Sequence, residues 1–231
     1  PPEHLLEVDL KRLFLSSLLA LGLLAVPAQA AEYPAKPITL MTAFNAGGGS
    51  DVSHRLLEKF AKGVFDQPIV VTYKAGAGGE IGWTWLVGAK ADGYTIGGVD
   101  LPHIVLQPML RPEGQPGYKT EQLSPLCGLV YDADVVMVPE DGPYKTFKDL
   151  IEYAKANPGK VKVATVGKLT GDHLFLMQIE KLTGAKFTQV PYSGSGKAIP
   201  ALLSGEVDAY FGSGSSFLRM EKTRGLAIGS K

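Results

Sequence analysis

Asn45-Ala46-Gly47-Gly48-Gly49-Ser50-Asp51 is the stretch on which the fold turns. On its amino side, Ile38 to Phe44 is apolar and rich in β-formers and reads as a strand. On its carboxyl side, Val52, Leu56, Leu57 and Phe60 recur at helical spacing and share one face of a helix that Gly63 can end. Three consecutive glycines let the backbone turn tightly from strand to helix and leave its amides unobstructed, while the helix start adds positive potential. Such a turn is a cradle for an anion. It is equally an ordinary tight turn in which Ser50 or Asp51 caps the helix.

The same unit recurs outward from the cradle. Pro68 to Tyr73 reads as a second strand, a helix runs through Trp83 to Val87, and Tyr94 to Val99 reads as a third strand. Further on, Val135 to Val138, Val161 to Thr165, Phe187 to Val190 and Val207 to Phe211 are strands, separated by helices near Asp172 to Leu182 and Ala198 to Leu203. Thr146 and Asp149 have the spacing of a capping box, and the helix they start is stopped at Asn157-Pro158-Gly159. Strands alternating with glycine-rich turns and helices predict an α/β protein with a largely parallel sheet. Ligands of open α/β sheets sit beyond the carboxyl ends of the strands, so the loops there are the candidate site. We expect a first lobe over residues 31–131 and a second over 132–231.

Composition narrows the partners. Lysine plus arginine and aspartate plus glutamate both number 23, so no net field recommends nucleic acid or an anionic membrane, and any anion site is local. The single cysteine, Cys127, has no internal disulfide partner. Lys11 and Arg12 precede an apolar run from Leu13 to Val26, then Pro27 and the small-residue site Ala28-Gln29-Ala30. That order is a secretory signal peptide, with cleavage expected after Ala30 and a periplasmic destination. The run falls short of the ~18 apolar residues of a membrane span. The acidic stretch Pro1 to Asp9 does not belong to a signal peptide, and Leu10-Lys11-Arg12 reads as the native start.

Several motifs resemble catalytic ones. Gly76-Ala77-Gly78-Gly79-Glu80-Ile81-Gly82 lies between a strand and a helix, with Asp100 roughly 20 residues on, close to a dinucleotide-binding fingerprint. A dinucleotide-binding oxidoreductase is therefore the alternative, beside an exported enzyme acting on a small carboxylate, but the glycines stand at first, third and seventh positions and the strand is the second of the mature chain, which count against it. Gly194-Ser195-Gly196-Lys197 resembles the end of a phosphate loop, but Ala198 replaces the metal-binding hydroxyl and Pro191 the first glycine. No serine sits in a nucleophile elbow. His54, His103 and His173 are scattered without the close second ligand of zinc motifs. No cofactor, metal or catalytic residue is therefore expected. The loops Gly167-Lys168-Leu169-Thr170-Gly171 and Pro191 to Gly196 supply hydroxyls and amides at helix starts and no general base, which suits holding a carboxylate.

Tyr33-Pro34-Ala35-Lys36-Pro37-Ile38, the cradle ending in Ser50-Asp51, Gly76-Ala77-Gly78-Gly79 with Ile81-Gly82, Asp92-Gly93-Tyr94-Thr95, and Val190-Pro191-Tyr192 followed by Gly205-Glu206-Val207-Asp208 together resemble the substrate-binding receptors of tripartite tricarboxylate transporters, the Bug family. The resemblance implies a two-lobed type II periplasmic-binding-protein fold. Such a fold closes by hinge motion on an organic acid or related solute and delivers it, as a monomer, to membrane permease subunits. It implies ligand contacts from Asn45, Ala46, Gly47, Gly48, Gly49 and Ser50, from Asp100 and His103, from Gly167, Lys168 and Thr170, and from Tyr192, Ser193 and Ser195. The family usually has small hydroxyl residues where this chain has Asp100, Leu101 and Pro102, and glycine and serine where it has Lys168 and Leu169. If Asp100 and Lys168 face each other across the cleft, they either pair as a latch or flank a ligand with both an anionic and a donor group, such as an amino acid or an amide. The family continues beyond Lys231 to complete its first lobe, so a C-terminally incomplete chain is expected.

Overall fold

The structure is a computed structural model that describes residues 32–112 and 114–229. The expected signal peptide and its cleavage site lie outside them. One compact unit, Lys36–Lys231, carries all the elements below. Its amino-terminal part holds a three-stranded sheet of β1 (Ile38–Thr42), β2 (Ile69–Tyr73) and β3 (Thr95–Gly97), in the order β2-β1-β3 and wholly parallel. Helices α1 (Gly49–Ala61), α2 (Glu80–Val87) and α3 (His103–Leu110) join and follow these strands. Successive β1 residues point to opposite faces, so Ile38 and Leu40 enter one core with Ile69, while Met41 and Ala43 enter another with Trp83 and Ile104.

The second sheet is five-stranded, in the order β6-β5-β7-β4-β8. Its strands are β4 (Asp134–Pro139), β5 (Lys162–Thr165), β6 (Thr188–Pro191), β7 (Ala209–Ser213) and β8 (Thr223–Ile228). The helices α4 (Phe147–Ala156), α5 (Gly171–Thr183), α6 (Ser195–Leu203) and α7 (Gly214–Phe217) accompany them. The run Val135-Val136-Met137-Val138 is buried on both faces. Val136 and Val138 pack with Leu150, Leu176 and Phe211, while Val135 and Met137 pack with Leu202 and Tyr210. A strand covered on both sides needs a continuous apolar run rather than alternation, and this is the one the sequence supplies. The capping box forms as its spacing predicts: Thr146 Oγ1 accepts from the Asp149 amide at 3.2 Å, and Asp149 Oδ2 accepts from the Thr146 amide at 2.8 Å.

The fold class is the one expected, with four local differences. β4 runs antiparallel to both β7 and β8, and β8 itself reads weakly because Arg224 and Gly225 interrupt its pattern. Helix α3 occupies a segment that Pro102 and Pro108 make look like loop. The apolar stripe of α1 is only partly covered: Val52 and Leu57 are half-buried, Leu56 and Phe60 are 50% and 69% exposed, and the helix buries Asp51, His54 and Ala61. Periodicity tells which residues share a face, not which face the sheet covers. His54 is inside, with Nδ1 2.6 Å from Thr42 Oγ1.

Candidate ligand-binding site

The direction of each strand decides which loops meet. β5, β6 and β7 are mutually parallel, so the turns 166–170, 192–194 and 213–216 emerge from one edge of the second sheet. Because β4 is antiparallel to β7, with Asp134 paired to Ser213, the beginning of β4 reaches that same edge. In the first sheet the turns after β1 and β3 likewise share an edge.

The cradle is built from within. Gly48 is the N-cap of α1 in extended conformation and makes no side-chain cap bond. Asp51, in the first turn, accepts from the Gly47 amide at 2.8 Å and from the Tyr73 hydroxyl at 2.7 Å, with Arg55 Nε at 3.4 Å. Burial pushes the Asp51 carboxyl up, but the Gly47 and Tyr73 hydrogen bonds and the Arg55 charge outweigh it and hold the group below its ordinary range. The cradle thus carries an anion of its own at the Gly47 end. Asp51, read in sequence only as a possible cap, is what fixes the loop.

The cradle meets the second sheet directly. Asn45 Nδ2 donates to Ser193 Oγ at 2.6 Å, the Gly49 amide donates to Ser195 Oγ at 3.3 Å, and Arg219 Nη1 donates to the Gly47 carbonyl at 3.2 Å. A Cβ on Gly48 would stand 2.8 Å from Ser195 Oγ, and one on Gly49 would stand 2.9 Å from Ser215 Oγ. A Cβ on Gly196 would collide with the Ala46 carbonyl. Nearby, Gly167 lies against the backbone of Gly78 so closely that a Cβ would stand 2.9 Å from the Gly78 Cα. The hydroxyl of buried Tyr210 bonds Ser195 and Ser216, and Ser216 lies 2.8 Å from Ser213 Oγ.

Of the acids near the cradle, sequence reading named Asp100 and missed Asp134 and Asp172. Asp100, after β3, is half-buried and accepts from Ser50 Oγ at 3.3 Å; burial raises it to about 6. Asp134, at the start of β4, is also raised to about 6 by burial and by neighbouring Asp132. Asp172, 6% exposed at the start of α5, accepts from the Val166 amide at 3.1 Å. Burial and the charge of Asp134, with a contribution from Asp100, push it well above the carboxylate range. Asp172 therefore senses both Asp134 and Asp100. Asp172 carried the sequence signature of a helix-start acid only, and Asp134 none.

The other expected residues fall into place unevenly. His103 is buried with its ring edge-on to Phe44 and Trp83, and its Nε2 accepts from the Gly171 amide at 3.3 Å. Burial lowers it to about 4, so the ring is neutral at physiological pH, and a neutral ring accepting at Nε2 carries its proton on Nδ1. That buried Nδ1 has no partner. Thr170 caps α5 through the His173 amide and donates to the Gly167 carbonyl at 2.9 Å. Tyr192 turns its hydroxyl to Glu206 at 2.7 Å. Lys168 is exposed and has no ion pair among the described residues, so the structure does not join it to Asp100 as a latch.

The glycines of the dinucleotide-like motif are filled by protein. A Cβ on Gly79 would stand 2.5 Å from the Trp83 ring, one on Gly76 would stand 2.6 Å from Ile81, and one on Gly82 would stand 2.9 Å from Ala43. Gly79 is also left-handed, with φ +99°, where a side chain is strained. Gly82 lets α2 pack closely beside β1, while Gly76 and Gly79 make room for α2's own Ile81 and Trp83. Among the described residues no three His, Cys, Asp or Glu side chains converge as a metal site.

The pattern of the tripartite tricarboxylate transporter family receptors matches residues 54–230. BugT of Bordetella pertussis is 35% identical over 192 residues, covering 80% of this chain. The chain spans just over half the length of the curated relatives it matches, 57% for BugT. A solved periplasmic transporter superposes with a TM-score of 0.80 at 32% identity, covering 85% of this chain and 66% of that one. MatC of Rhodopseudomonas palustris, solved with bound malate, superposes with a TM-score of 0.77 at 25% identity, covering 86% of this chain and 68% of that one. The two-lobed periplasmic-binding-protein fold is the one these structures share with the chain.

Proposed function

Because the chain belongs to the tripartite tricarboxylate transporter receptor family, we propose that it is a periplasmic solute-binding receptor that captures a small organic acid and hands it to membrane permease subunits without altering it. The observation that carries this reading is the meeting of the Asn45–Ser50 cradle with Ser193 and Ser195 from the other sheet. Polar loops from two sheets that grip one another through single hydrogen bonds can part and close around a solute. The malate held by MatC supports a carboxylate as the solute class. In this reading the lobes part near residue 131, the chain acts as a monomer without nucleic acid, and export proceeds through the segment ending at Ala30.

The cradle offers an anion the start of a 13-residue helix, while Asn45, Ser50, Ser193 and Ser195 offer hydrogen bonds. The serine hydroxyls there bond an amide, the Asp100 carboxylate and one another, an arrangement that suits holding a solute. Thermal-shift screening against organic acids, amides and aromatic carboxylates tests the reading. A ligand at 100 times its Kd should add about 2.7 kcal/mol of stability and be recovered unchanged. Turnover of that ligand, or saturable binding of NAD or NADP, refutes it.

A further inference from the structure

The loops of the two sheets meet through single hydrogen bonds: Asn45 to Ser193, the Gly49 amide to Ser195, the Gly171 amide to His103, and Arg219 to the Gly47 carbonyl. Of these bonds only the last has a charged donor, and only in it are both residues exposed. Arg219 is aimed at this contact from its own side. Its Nε donates to the Ser215 carbonyl at 3.0 Å, and Nη1 reaches the Gly47 carbonyl at 3.2 Å. The turn that carries it is tied down, since the Ser215 amide donates to Asp132 at 3.1 Å and the Gly214 amide donates to the Ala133 carbonyl at 2.7 Å. Phe217 and Met220, on either side of it, pack on the core of Met137 and Tyr210. Among the described residues Arg219 has no carboxylate partner. The target is equally fixed, because Gly47 is left-handed at φ +79° and its amide donates to Asp51. Gly47 is thus gripped at its amide from within the cradle and at its carbonyl from the other sheet.

We propose that Arg219 is the clasp of the closed receptor, a guanidinium that bonds Gly47 only while the lobes are together and so sets how long a captured solute is kept, whatever that solute is. The proposal rests on the receptor reading above and adds a positioning residue to it. When the lobes part, the guanidinium and the carbonyl both return to water, so the bond enters the equilibrium between open and closed forms rather than any contact with solute. Arginine suits this role where lysine does not. The planar fork makes the Ser215 and Gly47 bonds together, whereas one ammonium on a flexible stem does not hold that geometry.

Spin labels on cysteines placed at exposed Lys59 and Lys181, with the exposed Cys127 replaced by serine, read the separation of the lobes by double electron–electron resonance, with and without malate. In both Arg219→Met and Arg219→Lys the ratio of short-distance to long-distance populations should fall about 3- to 10-fold, as expected for one hydrogen bond from a charged donor at an exposed site. Wild-type populations in either variant overturn the inference, in Arg219→Lys because charge alone would then suffice. Where malate closes the protein, its release should quicken by the same factor while its association rate stays within about twofold. Slower association at an unchanged release rate would mark Arg219 as a long-range attractor of anions and would also overturn the inference. None of these outcomes decides the receptor reading, which stands or falls by the thermal-shift screen.

Discussion

Replacing Asp100 by Asn should make the unliganded protein more stable, and by an amount that depends on pH. Folding raises the Asp100 pKa from 3.8 to about 6 because burial disfavours its charged form. The unfolded chain therefore gives up this proton near pH 4, whereas the folded protein keeps it until about pH 6. Below pH 4 both states are protonated and the carboxyl costs nothing. Between pH 4 and 6 the folded state binds more protons than the unfolded one, so stability falls as pH rises, and above pH 6 the loss is constant. Roughly two pKa units correspond to about 3 kcal/mol. Asparagine preserves the shape and the acceptor for Ser50 and removes the charge, so it recovers about 1 kcal/mol at pH 4.5 and about 3 kcal/mol at pH 7.5. Urea unfolding followed by the fluorescence of Trp83, which is fully buried in the adjoining core, measures both. A gain that is the same at the two pH values, or a loss at pH 7.5, refutes the electrostatic account.

Gly48→Val should weaken solute binding about 5- to 150-fold with little loss of stability. Gly48 has φ −85°, open to any residue, but its Cβ would stand 2.8 Å from Ser195 Oγ and so obstruct the meeting of the loops. Titration alongside a urea melt checks it, and unchanged affinity would mean that the cradle is only a turn. Leu150→Ala, at a fully buried position on α4 against β4 and β7, should cost about 2–5 kcal/mol in the urea midpoint and leave affinity untouched.

The elements legible in the sequence are those whose signal is local. The Thr146–Asp149 box is a reciprocal pair of hydrogen bonds within four residues, so its spacing suffices to place α4. The continuous run through Val138 announces a strand buried on both faces. That Leu56 and Phe60 stay exposed on α1 is not legible, because an apolar stripe is a property of the helix alone, whereas its burial depends on where β1 and β2 lie. Helix α3 stays hidden because Pro102 sits at its N-cap and Pro108 inside its last turn, both common marks of a loop. Of the site, the cradle and the serine loops are legible because strand-turn-helix junctions advertise themselves through glycine and hydroxyl residues.

By itself, then, the sequence determines the α/β units, the cradle at the end of β1 and the hydroxyl-bearing turns after β5 and β6. Each depends on contacts between residues a few positions apart. It does not determine that Asp134 joins Asp100 and Asp172, which stand 34 residues before it and 38 after it in the chain. That convergence follows from the antiparallel pairing of β4 with β7, which brings the start of one strand to the end of the other. It follows equally from the meeting of the two sheets' loops, where Asn45 bonds Ser193, the Gly49 amide bonds Ser195 and Gly78 packs on Gly167. Strand direction is settled by the sum of many weak contacts across the core, none of which is written in any local stretch of residues.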